Sequence, residues 1–114
     1  MKLAFVSGPY RAKTINEIHD NIEQARHVAI GLWRLGYAVH CPHTGSAYMD
    51  GVVPDEVFLA GDIEILKRCD LVVMVPEWRH SSGSREEYAV AREHGIPVFD
   101  WDNVPGERYF ETVF

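Results

Sequence analysis

Leu71-Val72-Val73-Met74-Val75, followed by Ser81-Ser82-Gly83-Ser84-Arg85-Glu86-Glu87, decides how this chain is read. The first run is apolar and largely β-branched, as in a strand buried on both faces. The second is a Ser/Gly loop that opens a helical pattern over residues 84–94. A strand, a loop and a helix N-terminus in that order form a site for an anion or a sugar, because the first-turn N–H groups lack intrahelical partners. Glu87 falls one turn into the helix, at the rim of that site.

Upstream, residues 2–7 read as a short apolar strand ending in the turn Ser7-Gly8-Pro9-Tyr10-Arg11. Thr14-Ile15-Asn16-Glu17 matches a capping box. The helix it opens carries Ile18, Ile22, Ala25, Ala29 and Leu32 at helical spacing and stops at Gly36. Residues 37–41 give a second strand, 42–54 a loop, and 55–68 a second helix. Downstream, Gly95-Ile96-Pro97-Val98-Phe99 closes the helix over 84–94 and supplies a fourth strand. The tail 100–114 reads as a short helix over 106–113 or as a partner contact.

The order βαβαβαβ with short connections implies one α/β domain over residues 1–114, with its core at 2–99. The expected architecture is a doubly wound, Rossmann- or flavodoxin-like, three-layer fold. Its four- or five-stranded parallel sheet has strand order 2-1-3-4. Ligands of such sheets sit beyond the carboxyl ends of the strands, where the order reverses. That reversal brings the loop at Gly8-Pro9-Tyr10-Arg11 beside the loop running from Trp78 to Gly83.

Bulk composition narrows the partner classes. The 114 residues are 46% hydrophobic and 25% charged, enough to build a core. A net charge of -6 with no basic run offers no footprint for a nucleic-acid polymer, although a single nucleotide needs only local donors. The two cysteines, Cys41 and Cys69, form no CxxC pair. No signal peptide is apparent, and no apolar run approaches the roughly 20 residues of a bilayer span, so the expected setting is the cytoplasm, without a membrane partner.

Two acids stand out. Glu87 shares its helical stripe with Val90, Ala91 and His94, which makes it more inward than Glu86. A competing reading is the capping box Ser84-x-x-Glu87, in which the acid only satisfies a backbone N–H. Near a helix N-terminus the carboxylate form is favoured, which suits a nucleophile better than a general acid. Asp62 interrupts an apolar stripe of Phe58, Ile65, Leu66 and Cys69, so it needs a partner or a purpose. It is an ordinary cap instead if the helix starts at Gly61 or Asp62.

Around these acids, Gly8 permits close backbone approach, and Arg11 offers a fork to a phosphate or a sugar hydroxyl. Arg11 is otherwise a solvated charge, and Ser81 and Ser82 are otherwise turn residues. Tyr10, His43, Tyr48 and Trp78 supply ring faces for stacking on a base, or else cap the core edge. His40 and His43 lack further metal ligands nearby, so neither a metal nor a cofactor is expected.

The pattern Ser81-x-Gly83-x-x-x-Glu87, with Ala91 four residues on, resembles the nucleoside 2-deoxyribosyltransferase superfamily, which includes the 2′-deoxynucleoside 5′-monophosphate N-hydrolases. Ser7-Gly8-Pro9-Tyr10-Arg11 resembles its first glycine loop. Gly61-Asp62-Ile63 ahead of Cys69-Asp70-Leu71-Val72-Val73 resembles its acid helix. The likeness spans about residues 2–99 and is strongest to a small bacterial and phage branch.

It implies that Glu87 is the nucleophile at the anomeric carbon and that Asp62 assists departure of the base. Gly8, Tyr10, Arg11, Ser81 and Gly83 would bind the rest of the substrate, with His43 and Trp78 at the base. A Ser at position 81, rather than an Asp, implies a 5′-monophosphate. Pro9 and Tyr10 depart from the hydrolases' glycine-rich loop. The resemblance also implies a homo-oligomer whose neighbour completes the site, a role open to the tail from Trp101 to Phe114.

The activity implied is cleavage of an N-glycosidic bond, by hydrolysis or by transfer to a second base. The rival is a non-catalytic nucleotide-binding or sensor module on the same scaffold. A receiver-like signalling domain is disfavoured, because Ser7-Gly8 stands where its acidic cluster would be.

Overall fold

The computed structural model of the protein describes residues 1–105. Four strands, β1 (Leu3–Ser7), β2 (Ala38–His40), β3 (Leu71–Met74) and β4 (Val98–Asp100), form a sheet in the order β2-β1-β3-β4. Every pairing is parallel, with Phe5 opposite both His40 and Val72. The helices are α1 (Ile15–Arg34), α2 (Pro42–Gly45), α3 (Asp55–Leu66) and α4 (Ser82–Glu93). This is the doubly wound α/β architecture with the switch point between β1 and β3. Among the described helices, none is long and apolar enough to cross a membrane.

Strand periodicity divides the core in two. Ala4, Val6, Leu71, Val73 and Val75 face one way and pack with Ala25, Val28, Ala29 and Leu32 of α1. Phe5, Val72 and Met74 face the other way and pack with Leu66 of α3, Ala91 of α4 and Trp78. By the same parity Ser7, two residues beyond Phe5, belongs to the α3/α4 face. His40, paired with Phe5 and 5.5 Å from its ring centroid, belongs there too.

Local chemistry sets the helix ends. Thr14 Oγ1 accepts the Glu17 N–H at 3.1 Å, and the Glu17 carboxylate accepts the Lys13 N–H. Gly36, at φ 96°, closes α1 with the Tyr37 N–H donating to the Leu32 carbonyl. α4 starts two residues earlier than the spacing suggests, because Ser81 rather than Ser84 is its cap. The 42–54 loop contains the single turn α2, opened by Pro42 at its first position.

α3 begins at Asp55, so Asp62 lies inside the helix and is not its cap. The expected buried stripe holds at Leu66 and Cys69, but Ile65 is 38% exposed.

The segment after β4 packs on its own chain. A Cβ at Gly31 would run into the Trp101 ring, and Tyr37 Oη donates to the Pro105 carbonyl. Trp101 is therefore seated on α1. The expected helix over 106–113 lies outside the described residues. Replacing Gly31 with Ala should displace Trp101 and cost about 1–2 kcal/mol in a urea melt, with a red-shifted tryptophan emission. A variant as stable as the parent would contradict this packing.

Candidate active site

A cleft of about 580 Å³ opens at the carboxyl ends of β1 and β3. Gly8, Tyr10, Arg11, His43, Asp62, Ser81, Gly83 and Glu87 all line it. These residues come from four separate stretches of chain, and the β1/β3 reversal brings them together. Gly8 is required by close approach, since a Cβ there would lie 2.7 Å from Val75 Cβ on the neighbouring strand end.

Trp78 is placed elsewhere. It is only 7% exposed, stacks on Tyr88 at 4.9 Å and donates from its indole N–H to Asp100. It closes the core behind the loop and does not line the cleft. Parity and exposure could not show this, because the 3-10 turn at Trp78–His80 rotates its ring inward.

Glu87 is 7% exposed and accepts a hydrogen bond from Ser7 Oγ at 2.7 Å. Burial pushes its carboxyl from 4.5 up to about 7; repulsion from Asp62 and Glu86 adds to this and the Ser7 bond opposes it. The expectation that the helix N-terminus keeps this acid ionised is thus corrected. Glu87 lies six residues beyond the Ser81 cap, and the helix field fades after the first turn, so desolvation wins. The capping-box reading also falls, since the Ser84 N–H donates to Ser81 Oγ.

Asp62 reaches the cleft from α3, with His40 Nε2 at 3.8 Å, beyond hydrogen-bond range. His43 Nε2 lies 2.8 Å and 3.1 Å from the Pro9 and Gly8 carbonyls. Both are acceptors only, so Nε2 carries the proton and ties α2 to the first loop. Burial lowers the His43 pKa, which keeps the ring neutral.

Arg11 is already engaged. Its fork holds Asp55 through Nη2 at 2.8 Å and Nε at 3.0 Å, with Nη1 3.3 Å from Asp50. Tyr10 Oη donates to the same Asp50 at 2.9 Å. These groups are about half exposed, so the pairs contribute at most about 1 kcal/mol each. Ser81 Oγ is likewise occupied as the cap of α4, where Ser82 and Gly83 hold the first two helical positions, whose N–H groups have no intrahelical acceptor.

Sequence reasoning passed over Ser7, Asp50 and Asp55. Ser7 had a signal, the odd-numbered parity it shares with Phe5; the two aspartates looked like ordinary loop and first-turn acids. Among the described residues no three His, Cys, Asp or Glu side chains converge as a metal site.

A family model described as a domain of unknown function, DUF4406, matches residues 5–100. No curated protein matches the chain by sequence. Among solved structures, the chain is similar to the 2-deoxyribosyltransferase of the psychrotolerant bacterium Bacillus psychrosaccharolyticus. The TM-score is 0.62 at 19% identity, covering 86% of this chain and 70% of that one. At that identity the likeness is one of fold.

Proposed function

The chain belongs to the DUF4406 family, and from the buried acid in its switch-point cleft we propose that it cleaves the N-glycosidic bond of a nucleoside or nucleoside 5′-monophosphate. The observation that carries this reading is Glu87, inward-facing, hydroxyl-bonded and beside a second cleft acid, Asp62. The fold shared with a 2-deoxyribosyltransferase supports it.

In the proposed reaction a Glu87 carboxylate oxygen bonds to the anomeric carbon as the carbon–nitrogen bond breaks. The electron pair of that bond goes to the base, which takes a proton from Asp62. Water, or the nitrogen of a second base, then attacks the same carbon from the opposite face, and Glu87 departs as a carboxylate. The proton released by the attacking group returns to Asp62. His43, neutral and beside Tyr10, is the proposed contact for the base.

Of the two side chains that favour a phosphate, Arg11 is held by Asp55 and Asp50, whereas the Ser81 hydroxyl accepts the Ser84 N–H and keeps its own proton to donate beside the α4 N-terminus. Self-association is part of the proposal: α3 carries apolar residues all round, and Val57 is 52% exposed.

The test is chromatographic detection of free base from a panel of ribo- and deoxyribonucleosides and their 5′-monophosphates, with and without a second base. Release from any member that requires Glu87 supports the reading, and product with the second base identifies transfer. A thermal shift by one member without base release would replace it with the binding-module reading.

A further inference from the structure

β1 ends immediately before Gly8, which lines the cleft. Ser7 closes β1 with its backbone locked: its carbonyl accepts the Val75 N–H at 2.8 Å, and its Cα pairs with Met74. Its side chain is fully buried, on the face that α4 covers. The one proton of its hydroxyl goes to Glu87 Oε1, across 80 residues of sequence. At 0% exposure the hydroxyl is out of reach of bulk solvent.

We propose that Ser7 is the positioning residue for Glu87, its hydroxyl fixing one carboxylate oxygen from the sheet and leaving the other to the ligand. A hydrogen bond to a carboxylate is stronger than one to a neutral acid, so the same contact favours the ionised form that a nucleophile needs. It acts against burial and against the two acids nearby. Asp62 on α3 and Glu86 on α4 repel its charge, while His43 on α2 is neutral and His40 on β2 faces Asp62. Among the described residues, Ser7 is thus the one neighbour whose contact offsets burial. No other residue of β1 can take the role, because Val6 points into the α1 core and Phe5 has no donor.

This inference rests on the nucleophile reading of Glu87, yet its test does not need turnover. The carboxyl carbon of Glu87 is followed by ¹³C NMR across a pH titration of the ligand-free protein. The proteins compared are the parent, Ser7→Ala and Ser7→Cys, the last nearly isosteric but a weak donor. The expected midpoints rise from parent to Cys to Ala, with Ala about one unit higher. The acidic limb of the pH–rate profile moves up by the same amount. Folded Ala and Cys variants that both titrate within about 0.2 units of the parent would overturn the assignment. A moved midpoint in a protein whose parent releases no base would leave Ser7 assigned and overturn the glycosidic reading instead.

Discussion

Replacing Glu87 with Gln is expected to lower the rate of base release by at least about 10³-fold. Gln matches the shape of Glu and keeps an oxygen to accept the Ser7 hydroxyl, but it cannot bond to the anomeric carbon and leave again as a carboxylate. Nucleoside binding should survive, visible as a thermal shift of the variant by the substrate. The parent's rate should rise with pH through about 7, where burial places the Glu87 titration. A Gln variant within tenfold of the parent would remove Glu87 from the chemistry and leave a binding cleft.

The same variant should be the more stable protein under alkaline conditions. Burial raises the Glu87 carboxyl from 4.5 to about 7 in the folded chain, so folding favours the protonated acid. That stabilisation is fully present below about 4.5 and is lost as pH rises through about 7. The interval corresponds to about 3 kcal/mol at most. Gln stays neutral throughout. Parent and variant should therefore be nearly equal at about pH 4.5, with the variant ahead by about 1–3 kcal/mol at about pH 8. Urea melts of both proteins at the two pH values read this difference, since titrations remote from the cleft cancel in it. A difference that does not change with pH would mean that Glu87 is not desolvated in the folded state.

Loss of activity and gain of stability in one substitution would mark Glu87 as a residue kept at a cost to the fold. Sites built for chemistry commonly hold such groups. Cys41 and Cys69 make the contrast, since burial pushes both thiols up, Cys69 to about 11, and leaves them as packing residues without reactivity.

Much of this molecule is written locally. Alternation of Ala4, Phe5 and Val6 assigns each residue to a face, the Thr14 cap opens α1, and Gly36 closes it. The run from Leu71 to Val75 could only be a buried strand, and the β/α order required parallel pairing with the reversal beside it. These features depend on neighbours within a turn or two, where backbone geometry and side-chain period leave few choices. They were enough to bring Gly8, Ser81 and Glu87 to one cleft, whereas Asp62 had a place there only through the family resemblance.

What the tertiary structure alone decided lies between residues far apart in the chain. Arg11 meets Asp55 across 44 residues, and Ser7 meets Glu87 across 80. Neither pairing has a local signature, because each depends on how two crossovers end. The titration of Glu87 is more collective still. Its helix position argued for an ionised acid, and only the burial supplied by β1, α3 and α4 together reversed that. A sequence declares where a carboxyl group sits along a helix; the dielectric around it exists only once the layers have closed.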